Sequence, residues 1–303
     1  MNTTSPPSAE WTRRAERGNL PLLRFMTWAS LAFGRTATRV PLRAVAAYFL
    51  VFGGTARRAS REFLARSLGR VPSLAEQYRV VSAFASTVHD RVYFLRERFE
   101  LFAIEVRGAE VFRDKRGVLL MGAHLGSFEA LRACGRHLGH RRVAMAMHEN
   151  TTRRINAVLE AVNPAAAHDI VALGRADSMI ELAQRLDEGA LVGILADRTL
   201  GDEPALMIPF LGEPAPFPTG PMRMAAALRR RVIFMAGLYR GGNRYAIRFE
   251  EIADFSDLEG LPRAAREQRV NEGVAAYAAT LERHAREAPF NWFNFHDFWR
   301  RAP

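Results

Sequence analysis

The sequence predicts an α/β fold, in which a mostly parallel central sheet is flanked by helices and preceded by an N-terminal helical hairpin. From residue 117 onward, short apolar runs alternate with segments of helical periodicity, which favours parallel strands with helices on both faces. Two apolar segments with arginines at their ends come before that alternation. We therefore divide the chain into a flexible tail at 1–18, a helical hairpin at 19–56 and an α/β domain at 57–303.

The hairpin is predicted from two apolar helices at 22–33 and 40–52, which Gly34 and Pro41 separate. Neither helix reaches the ~20 apolar residues that cross a membrane, and we expect no transmembrane helix or signal peptide. Short apolar helices with basic ends are typical of segments that lie in a lipid interface, so we predict a membrane-associating hairpin. Packing of both helices on the main core is the alternative.

Helical periodicity continues over 57–99, and the alternation of strands and helices follows it. The predicted strands cover 117–121, 142–147, 170–173, 190–196, 232–238 and 245–249. The predicted helices cover 128–138, 152–162, 178–187, 222–228 and 263–286. No internal repeat or low-complexity segment interrupts this pattern.

The composition is strongly basic, with a net charge of +11 from 43 basic and 32 acidic residues, and arginine supplies nearly all of the positive charge. A basic surface commonly binds nucleic acid, anionic lipid head groups or an acidic protein. A high-GC genome would explain the preference for arginine over lysine, but not the excess of basic residues. The single cysteine, Cys134, excludes an intrachain disulfide and favours a reducing compartment.

The candidate catalytic pair is His124 and Glu129. His124 follows a predicted strand, at the edge where open α/β sheets bind ligands, and Glu129 lies in the first turn of a helix that Ser127 can cap. On one regular helix, a spacing of five residues would place the pair about 140° apart. With His124 in the turn, the carboxylate can fold back and orient the imidazole, which leaves the other ring nitrogen to accept a proton. A polar turn residue without a catalytic role is the alternative.

Other chemistries fit this sequence less well. Ser127 lacks the second glycine of a nucleophile elbow, which disfavours a serine hydrolase. His137, His140 and His148 do not have the spacing of a zinc motif, so we interpret them as solvated side chains and predict no metal site. No P-loop or dinucleotide fingerprint is present, and no cofactor is predicted.

Two later segments add candidate anion-binding groups. Arg198 ends the apolar run at 193–198 and could hold a phosphate or carboxylate with two hydrogen bonds, although a surface pair with Asp197 is an alternative. The Pro/Gly-rich loop at 209–223 places backbone N–H groups and Thr219 at the start of a helix, an arrangement that favours anions. A rigid structural loop would explain that segment equally well.

Taken in order, these segments resemble the lysophospholipid acyltransferase superfamily, and more closely its branch of bacterial lipid A late acyltransferases. The His-x4-Asp/Glu block of the family matches 124–129, its strand with a basic end resembles 193–198, and its Pro-x-Gly block resembles 217–223. Thr219 stands where the glycerolipid enzymes carry a glutamate, a departure that the lipid A branch shares. The apolar strand at 232–238 completes the set.

The resemblance extends over roughly 11–299, but the C-terminal segment at 289–299 departs from the lipid A enzymes. That segment looks more like acyltransferases encoded with polyketide-like or aryl-polyene lipid pathways. The departure leaves the acceptor open and does not change the implied chemistry.

The resemblance implies transfer of an acyl chain from an acyl carrier protein or coenzyme A thioester to a hydroxyl or amine of a membrane lipid. His124 would be the general base and Glu129 its orienting partner, with no acyl-enzyme, metal or cofactor. The groups that would hold the acceptor's phosphate or carboxylate are Arg198, Thr219, Gly220 and Arg223. The implied location is the cytoplasmic face of the bacterial inner membrane, where a basic protein meets both anionic lipids and acidic carrier proteins.

Two other functions stay open at this stage. A thioesterase would use the same pair with water as the acceptor. A nucleic-acid-binding protein would use the arginine-rich surface, but it gives no reason for the ordered blocks, and we predict no nucleic-acid partner. The sequence does not define the acyl chain length, the acceptor, an ester or amide product, or the oligomeric state.

Overall fold

A computed structural model of the chain describes residues 20–112, 114–134, 141–148, 170–175, 177–199 and 203–299. The predicted tail at 1–18 and the predicted helix at 152–162 lie outside these residues. So do His137 and His140, and the side chain of His148 is likewise not described.

The described elements alternate between helices and strands along the chain. The helices are α1 (Leu20–Phe52), α2 (Gly54–Leu68), α3 (Leu74–Leu95), α4 (Ser178–Asp187), α5 (Gly220–Ala227) and α6 (Arg263–Glu287). The strands are β1 (Ala103–Arg107), β2 (Val118–Gly122), β3 (Val143–His148), β4 (Ile170–Leu173), β5 (Leu191–Leu195), β6 (Ala205–Phe210), β7 (Glu213–Pro218), β8 (Arg231–Tyr239) and β9 (Arg244–Asp254).

Seven of these strands form one sheet in the order β1-β9-β8-β2-β5-β3-β4. Neighbouring strands are parallel except for β8 and β9, which are antiparallel. This arrangement confirms the predicted α/β class with a mostly parallel sheet.

The sheet is buried on both faces, as the near-continuous apolar sequence of β2 shows. Leu119 and Met121 point into a core that α2, α4 and α6 cover. Leu120, on the opposite side of the strand, points into a second core with the end of α3 and the segment after His124. Because both faces are covered, the exposed parts of the sheet are its edges and strand ends.

The first helix consists of two helical parts that meet at Gly34, whose backbone has φ 79° and is not helical. This is the predicted junction, whereas Pro41 lies inside the second part. Arg35 then donates two hydrogen bonds to the buried Asp90 of α3, and Arg39 donates a third. The hydroxyl of Tyr245 on β9 also donates to Asp90, at 2.8 Å. These charge-assisted bonds attach the second part of α1 to the α/β domain.

Beyond this attachment, α1 leaves many large apolar side chains exposed. No described helix combines the length and the apolar character that crossing a membrane requires. The exposed large apolar residues on α1 are Phe25, Met26, Trp28, Leu31, Phe33, Val40, Val45, Tyr48, Phe49, Val51 and Phe52.

Several segments differ from the sequence-based expectations. The helical stretch predicted at 57–99 is two helices, because Gly69 ends α2 in the left-handed conformation and Ser73 caps α3 with Glu76. The segment after Ser127 winds as a 3₁₀ helix, Glu129–Cys134, and not as the predicted α-helix. β1 was not predicted, since its burial alternates along an edge of the sheet.

The Pro/Gly-rich segment expected as a loop forms most of the β6–β7 hairpin, which the structure pairs from Ala205↔Pro218 to Phe210↔Glu213. Proline is tolerated there because each strand of a two-stranded hairpin has a free edge. The turn residues Leu211 and Gly212 both have positive φ, as a tight two-residue hairpin turn requires.

Candidate active site

The candidate site forms where two neighbouring parallel strands end. β2 and β5 pair in register up to Gly122↔Leu195, and the N–H of Ala196 extends the pairing to the carbonyl of Gly122. His124 follows the first strand and Asp197 follows the second. Parallel pairing therefore brings both side chains to one edge of the sheet, the edge where α/β proteins bind ligands.

Asp197 contacts His124 twice. Its Oδ1 lies 2.8 Å from Nδ1 of the imidazole, and its Oδ2 accepts the backbone N–H of His124 at 3.0 Å. Because an ionised carboxylate only accepts hydrogen bonds, this contact places the proton of a neutral imidazole on Nδ1. The ring nitrogen Nε2 then carries the lone pair, and the side chain of His124 remains 30% exposed.

The Asp197 carboxylate is fully buried and ionised. Burial alone would raise its pKa, but the charge and hydrogen bond of His124, the charge of Arg198 and the indole of Trp292 together hold the pKa well below its usual value. Trp292 contributes by donating Nε1–H to Oδ2 at 3.0 Å. The carboxylate therefore keeps its negative charge beside His124 at all physiological pH values.

The segment that carries Trp292 is itself attached to the turn that carries His124. The N–H of Phe293 donates to the carbonyl of His124 at 2.7 Å, and the N–H of Gly126 donates to the carbonyl of Asn291 at 2.8 Å. Leu125 and Trp292 form an antiparallel bridge between these bonds. The side chain of Asn291 in turn bonds both backbone groups of Tyr239 on β8. The C-terminal segment is thus part of the site's framework.

Two glycines allow the turn after His124 to lie directly on β8. A Cβ at Gly126 would come within 2.1 Å of the carbonyl oxygen of Gly237, and Gly126 has φ +79°. A Cβ at Gly237 would come within 2.2 Å of the carbonyl oxygen of Ser127. Only residues without a side chain permit this approach, and the N–H of Ser127 uses it to donate to Gly237 at 2.8 Å.

The position of Glu129 differs from the prediction. It forms an ion pair with Arg91 of α3 at 2.7 Å and accepts a bond from the Ser127 hydroxyl at 3.3 Å, and Asp197 occupies the orienting position on His124. The cause is the extended turn between them, because bridges on both sides of Gly126 prevent Glu129 from folding back. Ser127 does cap the following turn, as expected, by accepting the N–H of Ala130.

Arg198 follows Asp197 at the same edge of the sheet, and the alternative of a surface pair with Asp197 does not hold because that carboxylate is buried. Arg198 also approaches the carbonyl of Phe293, at 3.5 Å. His296 belongs to the same neighbourhood: burial, together with the positive charges of Arg198 and His124, lowers its pKa to about 4, against the opposing effect of Asp197. His296 is therefore neutral at neutral pH.

The predicted anion-binding residues after β7 have protein partners. The hydroxyl of Thr219 donates to the carbonyl of Pro204 at 3.1 Å and accepts Nε–H of Arg223 at 3.2 Å. Arg223 also forms an ion pair with Glu267 of α6. Gly220 begins α5, as predicted for the start of a helix. Their described contacts are thus within the protein and not with His124.

No group of three or more His, Cys, Asp or Glu side chains in the described part of the chain could hold a metal ion.

Sequence reasoning missed Asp197, Trp292 and His296 as members of the site. For Asp197 a signal was available, since it follows an apolar strand as His124 does and parallel neighbours end at one edge. For Trp292 and His296 no local signal exists, because their approach depends on the path of the chain after α6.

The chain was compared with models of protein families, with curated sequences and with solved structures. The model of the family described as bacterial lipid A biosynthesis acyltransferase matches residues 19–301. A solved structure that the chain resembles is the 1-acyl-sn-glycerophosphate (LPA) acyltransferase, PlsC, from Thermotoga maritima, with 16% identity over 86% of this chain and 95% of that chain, at a TM-score of 0.37. No curated protein sequence matches the chain.

The family match spans α1, the described strands of the sheet and the C-terminal segment that contacts the turn after His124. The chain therefore belongs to the bacterial lipid A biosynthesis acyltransferase family, and it is an acyltransferase that acts on lipid substrates with an acyl donor and a lipid acceptor.

Proposed function

We propose that this enzyme transfers an acyl chain from an acyl carrier protein or coenzyme A thioester to a hydroxyl or amine of a membrane lipid, with His124 as the general base. The observation that supports this proposal is the contact between Asp197 and Nδ1 of His124. It directs the Nε2 lone pair away from the carboxylate, on an imidazole that is partly exposed. A base held in this way can accept a proton from a bound acceptor.

The reaction proceeds by direct transfer. Nε2 of His124 removes the proton of the acceptor hydroxyl or amine as its oxygen or nitrogen attacks the thioester carbonyl carbon. The C–S bond of the tetrahedral intermediate then breaks, and the thiolate takes the proton back from the imidazolium. No bond to the enzyme forms, so the acyl chain passes in one displacement from donor to acceptor.

Asp197 takes the positioning role first assigned to Glu129. It fixes His124 through two hydrogen bonds, one with the imidazole and one from the backbone N–H, and its negative charge stabilises the imidazolium that forms during the transfer. Trp292 holds the other side of that carboxylate. Glu129 acts indirectly, by fixing α3 to the turn through Arg91.

Arg198 is proposed to hold the acceptor's phosphate or carboxylate, because its guanidinium lies at Phe293, the residue whose N–H bonds the carbonyl of His124. Thr219, Gly220 and Arg223 remain predicted contacts of the acceptor. Their role requires Arg223 to exchange Glu267 for the substrate.

The membrane location rests on α1, whose exposed aromatic and aliphatic side chains would enter the lipid interface. A net charge of +11 attracts the protein both to an anionic inner leaflet and to an acidic carrier protein. We therefore propose a peripheral or monotopic enzyme at the cytoplasmic face of the bacterial inner membrane.

The test is product analysis. Purified enzyme is incubated with an acyl-carrier-protein or coenzyme A thioester and a total lipid extract, and mass spectrometry identifies the products. An acylated lipid that His124→Ala does not form supports the proposal. Free fatty acid as the only product contradicts it and indicates a thioesterase. Lipid profiles of cells with and without the gene then identify the acceptor.

A further inference from the structure

A surface cleft of about 460 Å³ lies at the end of α1, and its lining includes no residue of the candidate active site. Three arginines of α2 line it, and apolar residues from α1 and from the segment between α2 and α3 form its rim. The lining residues that matter here are Val51, Arg57, Arg58, Arg61, Val71 and Leu74.

Three arginines of α2 carry positive charge that no carboxylate among the described residues neutralises. Within the described residues, no carboxylate pairs with Arg57, Arg58 or Arg61, although Arg66 on the same helix pairs with two glutamates. Arg57 donates to the amide oxygen of Gln77 at 3.2 Å, which is a neutral partner. Like charges one helical turn apart destabilise a helix, so this cluster favours a bound anion.

The rim of the cleft is apolar and open to solvent. Val51 is 63% exposed, Val71 is 70% exposed and Leu74 is 62% exposed, and the exposed aromatic residues of α1 continue the same surface. Positive charges next to exposed apolar side chains match the boundary of a bilayer, where phosphates lie just outside the acyl chains.

We propose that this cleft binds the phosphate of an anionic phospholipid, while Val51, Val71 and Leu74 enter the acyl layer. The proposal rests on the membrane location proposed above. Charge complementarity supports a lipid phosphate, and the continuity of the rim with α1 favours lipid over an acidic protein, whose contact surface would be polar.

The cleft also connects to the catalytic turn through α2. Phe63, two residues after Arg61, is fully buried and contacts the Trp292 ring edge-to-face at 4.7 Å. Trp292 bonds Asp197, which bonds His124. A lipid phosphate in the cleft would thus fix the distance between the bilayer and α2, the helix whose Phe63 packs against Trp292.

The experiment is vesicle flotation with the full-length protein. Phosphatidylcholine vesicles with and without phosphatidylglycerol are compared for wild type and for Arg57→Gln/Arg58→Gln/Arg61→Gln. The control, Arg107→Gln/Arg142→Gln/Arg263→Gln, removes the same charge from exposed arginines elsewhere. We expect the cleft variant to lose binding to phosphatidylglycerol vesicles by roughly ten- to a hundredfold, and the control to lose much less.

Equal losses in the two variants would overturn the proposal, because net charge alone would then explain the binding. If the cleft variant still binds vesicles but has a higher KM for an acyl-carrier-protein donor, the cleft binds the acyl carrier protein and not a lipid. A wild type that binds no vesicles would remove the membrane location and this inference together. Transfer to acceptor in detergent micelles tests the chemistry separately, and the cleft variant should keep it.

The double variant Arg58→Gln/Arg61→Gln guards against misfolding, since it keeps the bond between Arg57 and Gln77. It should lose most of the phosphatidylglycerol dependence while its melting temperature stays that of wild type. Unchanged flotation of this variant would also contradict the proposal.

Discussion

The turn that carries His124 and the first helix, α1, differ in which of their side chains are buried and bonded. Around His124 the polar groups are enclosed: Asp197 is buried and bonded on both oxygens, and the turn is bonded on both sides. On α1 the apolar groups are open, with Phe52 70% exposed. The polar groups that hold His124 in place are bonded to one another, which preorganises the site for chemistry, whereas the exposed apolar groups of α1 are available for binding. The two proposed functions thus belong to different regions: catalysis to the turn that carries His124, and membrane binding to α1.

The largest effect is expected from the base itself. His124→Ala should lower the rate of acyl transfer by about 10²–10⁴-fold, because no other described group accepts the acceptor's proton. Steady-state transfer assays measure this loss, and circular dichroism should show an unchanged fold. Near-wild-type turnover of this variant would show that the region around His124 is not the catalytic one.

The next effect separates the two carboxylates. Asp197→Asn removes the charge beside the imidazole and should lower kcat by about 10²–10³-fold. Glu129→Gln is the matched control, and it should cost less because that carboxylate pairs with Arg91 and not with His124. A larger loss in Glu129→Gln would restore the pairing predicted from the sequence.

Two tryptophans allow a matched test of the C-terminal segment. Trp292→Phe removes the N–H that holds Asp197 and should lower kcat by roughly 10- to 100-fold, the range for a bond to a charged acceptor. Trp299→Phe removes an N–H that donates to the carbonyl of Phe210. It should leave kcat close to wild type. Equal losses in both variants would indicate a packing effect only, as would a pH–rate profile that does not change in Trp292→Phe.

The open region is tested by polar substitution. Phe49→Ser/Phe52→Ser should weaken flotation with phosphatidylglycerol vesicles by about tenfold, since exposed phenyl groups no longer enter the interface. Transfer to an acceptor in detergent should not change. Unaltered flotation would mean that α1 is not the membrane contact.

The smallest effect concerns acid. The pKa of His296 is lowered to about 4 in the folded protein, whereas a histidine in the unfolded chain has a pKa of ~6.5. Between these two pH values the unfolded chain binds a proton that the folded protein does not, so the free energy of unfolding decreases as the pH falls from ~6.5 to about 4. His296→Gln should therefore lose less stability than wild type when the pH falls from 7 to 4.5. Melting temperatures measure the difference, and identical losses in both proteins would contradict the lowered pKa.

Sequence alone predicts the framework of this protein well where burial is continuous. β2, β5 and β8 are apolar on both faces, and their predicted positions differ from the observed ones by a residue or two. α4 is found where it was predicted, at Ser178–Asp187, because its apolar residues recur at helical spacing. The edge strand β1 and the proline-containing hairpin β6–β7 were missed, since exposure and proline hide the strand pattern.

The candidate site was predictable only in part, and the reason is chain separation. His124 was identified from its place after a strand, but its partner lies 73 positions along the chain. Local spacing favoured Glu129, because the sequence does not show the path of the turn. A turn that folds back would bring the Glu129 carboxylate to the imidazole of His124. Two bridges at Leu125 and Gly126 decide otherwise, and each depends on a distant residue, Trp292 or Gly237.

The late position of Trp292 has a consequence for synthesis. His124 and Asp197 are made before Trp292, which follows His124 by roughly 170 positions. At bacterial elongation rates that interval is on the order of ten seconds or more. During that time Asp197 has no indole partner. The order of the residues alone therefore delays completion of the framework around His124 until the C-terminal segment has been made.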